Sequence, residues 1–465
     1  MSSQNRKDIV IIGGGSAGYT AAIHAAHLGA SVALIEKDQL GGTCLNRGCI
    51  PTKALTKSIE VLGETKKAAE FGIVADNVRA DFGKMMSRKS RVVQELVSGV
   101  EQLIKMNRIT LIKGAGRIIS SNQVQVNGEV IPAGKIIIAT GSVPAKIPVP
   151  GIDLPGVTTT DDILELKEVP ESLIIIGGSY VGVEFAGIFS PLGTKVTILE
   201  QLPRPLATVD EEISRLFSRN LARQGVEVKT GAKVKAITKE GDILKAAYDA
   251  PDGEAEAQGQ MILQATGRVP YTGGTGLSEL GIKMAGRGIA VNDYLETNID
   301  GIYATGDVLG RIMLAHVAYY EAEVAVENAL GRARKADYRA VPSCIFTHPE
   351  IASVGITEQD AREKNIPYKV SKFPFTASAR AKTMGETDGT VKLICHAESG
   401  LVLGLHILGP HASDLIAEGA LAIRMGATAK DIAQTIHAHP TLPEAVREAA
   451  MGQLEGSIHF GRIRL

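Results

Sequence analysis

Cysteine is scarce. The 465-residue chain has four, Cys44, Cys49, Cys344 and Cys395, too few to staple so long a chain through a disulfide framework. A charge excess is also missing. Fifty Lys and Arg face 51 Asp and Glu, for a formal charge of -1, so no nucleic-acid or anionic-membrane partner is indicated, since both favour a basic excess. Long apolar runs are lacking too. The run after Arg6 and Lys7 ends at Ile12, where glycines break it, which argues against a signal peptide. The stretch from Leu173 is interrupted by Gly177, Gly178, Gly182 and Glu184, too polar and glycine-rich to span a bilayer. A soluble protein of the cytoplasm or an organelle matrix is expected. Long disordered tails are not, because 44% apolar and 22% charged residues are ordinary for a globular chain. Length suggests about three domains of ~150 residues.

Glycine, by contrast, is abundant at 51 residues without a collagen period, which suggests many turns and close backbone approaches to ligands. It marks an internal repeat. Residues 8–36 read DIVIIGGGSAGYTAAIHAAHLGASVALIE, and residues 172–200 read SLIIIGGSYVGVEFAGIFSPLGTKVTILE. A shift of 164 lays Gly13 on Gly177, Gly18 on Gly182 and Glu36 on Glu200. Each copy is a β-branched run, a glycine turn, a small-residue helix and a second apolar run, the pattern of a βαβ unit. In the first copy Gly13 permits the tight turn, Gly15 lets the backbone approach a pyrophosphate, and Gly18 lets the helix pack on the strand. The helix N-terminus offers free N–H groups to phosphates, and Glu36 is placed to accept from ribose hydroxyls. The competing reading is a merely structural turn. The second copy reads Gly177-x-Ser179-x-x-Gly182. Serine narrows the approach to a pyrophosphate but can also hydrogen-bond it. Glu200 favours the free 2′-OH of NAD over a 2′-phosphate, although Arg204 is close in sequence. Two dinucleotide sites point to electron transfer, with FAD plus NAD the economical pair, because a flavin can relay a hydride to or from a third partner.

Three more apolar runs end in matching turns: KIIIATG (135–141), MILQATG (261–267) and GIYATGD (301–307). Each reads as a buried strand of a parallel sheet. A helical stretch runs from Pro51 to about Lys105. IPVPGIDLPG (147–156) reads as a linker, and RKADYRAVPS (334–343) as a boundary. Beyond it, TVKLICHA (390–397), GLVLGLHIL (400–408) and the helical ASDLIAEGALAIRMG (412–426) indicate an α+β unit.

Cys44 and Cys49 follow the first βαβ unit in GGTCLNRGCIPTK. In an ideal helix, residues i and i+5 lie ~140° apart around the axis and ~7.5 Å apart along it. That exceeds the usual Cα separation of a disulfide, so a bond between them needs an irregular turn, which Gly48 permits. Such short, strained disulfides are the redox-active ones. Lys53, one turn on, would lower a thiol pKa. A metal clip is the weaker reading, because no second cysteine pair completes it. Cys344 and Cys395, flanked by apolar residues, read as ordinary buried thiols. Dithiol chemistry needs a base. In TIHAHPTLPE (435–444), His439 with Glu444 five residues on has the pattern of an imidazole oriented by a carboxylate. His437 is a lesser candidate, and His348 reads as structural.

Taken in order, GGTCLNRGCIPTKAL, the ATG turns, MLAH (313–316), FTHPEIASVG and IHAHPTLPEA resemble the pyridine nucleotide-disulfide oxidoreductases over nearly the whole chain, and specifically the members acting on dihydrolipoyl substrates. The resemblance implies an α/β fold of two Rossmann-like dinucleotide-binding domains plus an α+β C-terminal dimerisation domain. The FAD-binding domain would be split into 1–148 and 269–340, around an NAD-binding domain at 149–268, with the interface domain at 341–465. The FAD side would use Gly13, Gly15, Gly18, Glu36, Lys53, Gly116, Thr140, Gly141, Ser142, Asp307 and Met313, Leu314, Ala315 and His316. The NAD side would use Gly177, Ser179, Gly182, Glu184, Glu200, Val234 and Gly267, with Glu184 paired to Lys53. No metal is implied. The implied partners are a second copy of the chain, in a homodimer, and dihydrolipoamide or a lipoyl-bearing protein. His439 would deprotonate a substrate thiol in the partner's site, the thiolate would attack Cys44, and Cys49, facing the flavin, would pass on the electrons that leave as NADH. The alternative is another NAD(P)H-dependent disulfide reductase, of glutathione or mercuric type. Ser179 resembles the mercuric type, but the GRIRL end carries no cysteine pair, and the HAHP histidine is foreign to that type.

Overall fold

The computed structural model describes residues 6–461. The leader reading at residues 1–5 and the last four residues of the GRIRL end lie outside them. Among the described residues, no helix is long and apolar enough to cross a membrane.

The first parallel sheet is built on strand Lys7–Ile12. Val32–Glu36 lies on one side of it, with Thr110–Lys113 beyond. The end of the long strand Glu129–Ile138 lies on the other side, followed by Ile302–Ala304. Ile9, Val10, Ile11 and Ile12 are all buried. The helices Ser16–His27 and Ala315–Ala329 pack on this sheet, and Ile118, Val124 and Val126 of the strands Arg117–Ser120 and Gln123–Val126 join the same core, which is why the run is continuously apolar rather than alternating. The helix Ser16–His27 buries Ala17, Ala21, Ala22 and Ala25. These small side chains let it lie close to the sheet and against the helix Ala315–Ala329. The first half of Glu129–Ile138 pairs instead with Gln123–Val126 in an antiparallel ribbon.

The second sheet repeats the plan. Its parallel order is Glu227–Thr230, Lys195–Glu200, Ser172–Ile176, Met261–Gln264 and Val157–Thr158. An antiparallel layer of Lys233–Glu240, Ile243–Ala250 and Gly253–Gly259 packs on it through Ile174, Ile176, Leu244 and Ala246. The segment 147–156 contains no strand, and Ile147, Val149, Ile152 and Leu154 pack onto that core.

The C-terminal sheet is antiparallel throughout, in the order Ser343–Ile345, Glu350–Gly355, Val402–Gly409, Thr390–His396 and Tyr368–Pro374. The helix Ala412–Met425 packs on its central strands, and Glu444–Gly452 on Tyr368–Pro374 and Thr390–His396. The chain is thus mixed α/β, with two sheets of the dinucleotide-binding type and an α+β tail.

Candidate active site

The two glycine turns are copies in space as well as in sequence. Gly13 has φ +104° and Gly177 φ +108°. A Cβ on Gly18 would lie 1.7 Å from Gly13 O, and one on Gly182 would lie 2.0 Å from Gly177 O, so each helix start touches its own turn. At each strand end a carboxylate is held by the turn. Gly14 N–H donates to Glu36 Oε2 and Asp38 N–H to Oε1, both at 2.6 Å. Gly178 N–H donates to Glu200 Oε2 at 2.6 Å and Leu202 N–H to Oε1 at 2.7 Å. Each oxygen keeps a lone pair for a ribose hydroxyl. Arg204, close in sequence to Glu200, donates from Nη1 to the carbonyls of Ala207 and Val209, at 3.1 and 3.5 Å.

The cysteine segment forms two helices, Gly42–Arg47 and Cys49–Lys66, broken at Gly48. A Cβ there would lie 3.0 Å from Thr43 O. The break gives the irregular turn that brings the two sulfurs together. Both are free thiols, and Cys44 donates a hydrogen bond to Cys49. That bond lowers Cys49 from its ordinary 9.0 to about 7, against burial and with help from the Lys53 charge. The same bond and burial push Cys44 up. Burial pushes the other two thiols up as well, Cys344 to about 11 and Cys395 to about 12. Cys395 is buried and Cys344 half-buried, which leaves both inert.

Lys53 Nζ donates to Glu184 Oε1 at 3.0 Å and Oε2 at 2.8 Å. Glu184 Oε1 also accepts from Phe346 N–H at 2.9 Å, and the ammonium sits 4.6 Å from the Phe346 ring centre. The Glu184 side chain is 6% exposed, so removing Lys53 strands a buried charge, a loss of about 3–5 kcal/mol. The pair ties the cysteine helix, the second glycine helix and the C-terminal sheet to one point.

His437 and His439 differ sharply. The His437 side chain is 7% exposed, with Nε2 on Glu418 and Nδ1 on Thr435 O. The His439 side chain is 70% exposed, with Nδ1 2.9 Å from Glu444 Oε1. Burial pushes the Glu444 carboxyl up, but Thr441 N–H and His439 hold it below the usual carboxylate range. A carboxylate only accepts, so Nδ1 carries the proton and Nε2 keeps its lone pair. Among the described residues, no hydrogen bond joins His439 to Cys44 or Cys49 of the same chain.

Residues 7–322 match the family described as pyridine nucleotide-disulphide oxidoreductase, and residues 341–450 match its dimerisation domain. The chain is 40% identical over 469 residues to a mitochondrial dihydrolipoyl dehydrogenase of Pisum sativum, covering 99% of this chain and 94% of the relative. It is 41% identical to a dihydrolipoyl dehydrogenase of Geobacillus stearothermophilus, covering 97% of each. Among solved structures, the HOCl-induced flavoprotein disulfide reductase RclA of Escherichia coli superposes with a TM-score of 0.86 at 31% identity, covering 96% of this chain and 99% of that one. The chain belongs to the pyridine nucleotide-disulphide oxidoreductases. It is a flavoprotein disulfide oxidoreductase, of a family that uses FAD and NAD.

The residues of this pyridine nucleotide-disulphide oxidoreductase suit a flavin dinucleotide. A cavity of about 280 Å³ is lined by Gly13, Gly15, Glu36, Gly116, Thr140, Gly141 and Ser142. Ser16 Oγ, at the start of the first glycine helix, is buried beside Cys44, and the first backbone N–H groups of that helix are the donors a phosphate would meet. Asp307 accepts from Ser142 Oγ at 2.6 Å. The imidazole of His316 bonds Pro342 O at 2.7 Å, so Met313 to His316 offer mainly backbone at the start of a helix. Ser179 caps the second glycine helix without a side-chain bond to it. Gly267 has φ +98° and an open surround. The Val234 side chain is apolar and buried in the core with Ile176 and Leu199, so only its backbone could meet a ligand.

Arg268 escaped the sequence reading, which took it for a boundary. Its Nε donates to Ser142 Oγ at 2.7 Å, and Nη2 to Ser142 O and Thr43 Oγ1 at 2.9 and 3.2 Å. It thereby ties the cysteine segment to the ATG turn and to Asp307. The only sequence signal was its place directly after the second ATG turn. Glu321, buried and pushed up to about 7 by burial, accepts from Gly306 N–H at 2.7 Å and supports the turn before Asp307. It gave no sequence signal.

One prediction belongs to the first turn. Gly18→Ala should yield protein whose visible-to-280 nm absorbance ratio falls by about tenfold, because the new methyl group drives the helix off Gly13. An unchanged yellow protein would remove the turn from cofactor binding.

Proposed function

We propose that the chain acts as a dihydrolipoyl dehydrogenase, oxidising dihydrolipoamide or a dihydrolipoyl-bearing protein to the disulfide while NAD+ becomes NADH and a proton. The observation that carries this is the hydrogen-bonded pair Cys44 and Cys49, with Cys49 drawn down to about 7 beside Lys53, in a chain that also supplies a carboxylate-oriented histidine. The 1–148 and 269–340 parts would hold FAD, 149–268 would hold NAD, and 341–465 would form a homodimer through which His439 serves the partner's cysteines. Exposed Leu421, Met425, Ile436 and Ile458 on the tail support that last point. A cytoplasmic location fits a chain of 465 residues with only four cysteines.

When bound, the flavin and the nicotinamide dinucleotide supply a two-electron path from thiolate to NAD+. His439 Nε2 takes the proton of one substrate thiol, and Glu444 steadies the resulting imidazolium. The substrate thiolate attacks Cys44 Sγ of the oxidised pair, a sulfur–sulfur bond forms, and Cys49 leaves as thiolate. The second substrate thiol then displaces Cys44, its proton passing to the departing Cys44 sulfur, and the cyclic disulfide is released. Two electrons now reside on the cysteine pair. Lys53 holds the negative charge on Cys49.

The test is a spectrum of the purified protein followed by NAD+ reduction with dihydrolipoamide. A yellow protein that reduces NAD+ at least about tenfold faster than NADP+ supports the reading. Colourless protein would remove the flavin from the reading, and a preference for NADPH with glutathione disulfide would turn it to the glutathione-type alternative. Glu200 and the engaged Arg204 weigh against that alternative.

A further inference from the structure

Lys392 lies inside the strand Thr390–His396 with its side chain 1% exposed, where lysine is almost never found unpaired. Its Nζ donates to the two Asp210 oxygens at 2.9 and 3.0 Å and to Glu358 Oε2 at 2.6 Å, and lies 3.3 Å from Glu212 Oε2. Lys392 and Glu358 belong to the C-terminal unit. Asp210 caps, and Glu212 opens, the helix Glu211–Arg223 of the second nucleotide unit. Gln359 adds two bonds across the same boundary: Nε2 donates to Val209 O, and Oε1 accepts from Glu211 N–H, both at 3.1 Å. Together they grip the end of the loop 201–209.

That loop starts at Glu200, whose Oε1 takes Leu202 N–H. Midway, Leu206 N–H donates to Gly178 O at 2.9 Å. Leu206 has φ +51° and a buried side chain, so the middle of the loop has one seat. Gly178 N–H holds the other Glu200 oxygen. A continuous path of hydrogen bonds and chain thus runs from Lys392 to the carboxylate of the second fingerprint.

We infer that Lys392, with Gln359, is a positioning residue for the nicotinamide dinucleotide. It pins Asp210 and the loop 201–209, so that Glu200 and Gly178 keep the geometry that receives the ribose. This rests on the reading of the second fingerprint as the NAD site. Lys392→Met leaves the buried Asp210 carboxylate without its countercharge, held only by the Glu212 and Glu358 N–H groups at 3.1 Å each, which loosens the loop from its C-terminal end.

The holoenzymes of wild type, Lys392→Met and Gln359→Leu are compared with NAD+ and dihydrolipoamide varied in turn, and by fluorescence titration with NADH. KM for NAD+ and Kd for NADH should rise about tenfold in Lys392→Met and about threefold in Gln359→Leu, while KM for dihydrolipoamide moves less than about twofold. Equal rises in both KM values, or a lowered Tm with both unchanged, overturn the inference and leave Lys392 a structural lock. If Lys392→Met does not fold, Gln359→Leu, which removes no charge, decides: an unchanged KM for NAD+ overturns it. A wild type that binds no NADH sinks the underlying reading, and the inference with it, before any variant is measured.

Discussion

Cys49→Ser is expected to abolish dithiol-driven NAD+ reduction, by roughly 10³-fold or more, while the purified protein stays yellow. Serine fills nearly the same space at the first position of the helix Cys49–Lys66, so the fold and the flavin cavity should survive. It cannot form a sulfur–sulfur bond, and its hydroxyl does not ionise near neutral pH. The role assigned to Cys49 needs both properties. In the wild type, the Cys44 hydrogen bond and the Lys53 charge bring Cys49 to about 7. A thiol lowered to this value is protonated below it and a thiolate above it. After partial reduction with dithiol, long-wavelength thiolate–flavin absorption should therefore grow as pH rises through about 7. In Cys44→Ala the donor is gone, so the rise should move to higher pH. Full turnover in Cys49→Ser, or absorption indifferent to pH, would refute the disulfide mechanism.

The second large effect concerns His439. His439→Gln should lower kcat with dihydrolipoamide by about 10³-fold, within the range for loss of a general base. Glutamine still reaches Glu444 but takes no proton. The sharper experiment mixes subunits. Cys49→Ser and His439→Gln are each inactive alone. Co-refolded in equal amounts, they should recover about a quarter of wild-type activity, because half the dimers are mixed and each has one intact site. A histidine acting within its own chain would give no recovery. The exposure of the His439 side chain, at 70%, favours the shared site.

Much of this was legible in one dimension. The glycine offsets, the strand-helix-strand periodicity and the acidic residue closing each copy report local backbone geometry, and the two turns match in both φ angles and carboxylate bonds. Cys44 and Cys49 were legible because their spacing is incompatible with a regular helix, and Gly48 marks where the helix breaks. The HAHP segment named two histidines, and the carboxylate five residues on put His439 well ahead of His437. The structure separates them by burial: His437 has both nitrogens engaged, and His439 has one free.

The sequence by itself determined which segments become strands and helices, where the glycine turns fall and which residue types carry the chemistry, because these depend on neighbours within a few positions. Only the tertiary structure decided which distant charges meet. Lys53 finds Glu184 across 131 residues, Lys392 finds Asp210 across 182, and Arg268 finds Thr43 across 225. Arg204 bonds the carbonyls of its own loop through Nη1. Such pairings follow from how three separately built sheets stack, and the stacking is set by apolar cores that place no constraint on the spacing of the charges they bring together.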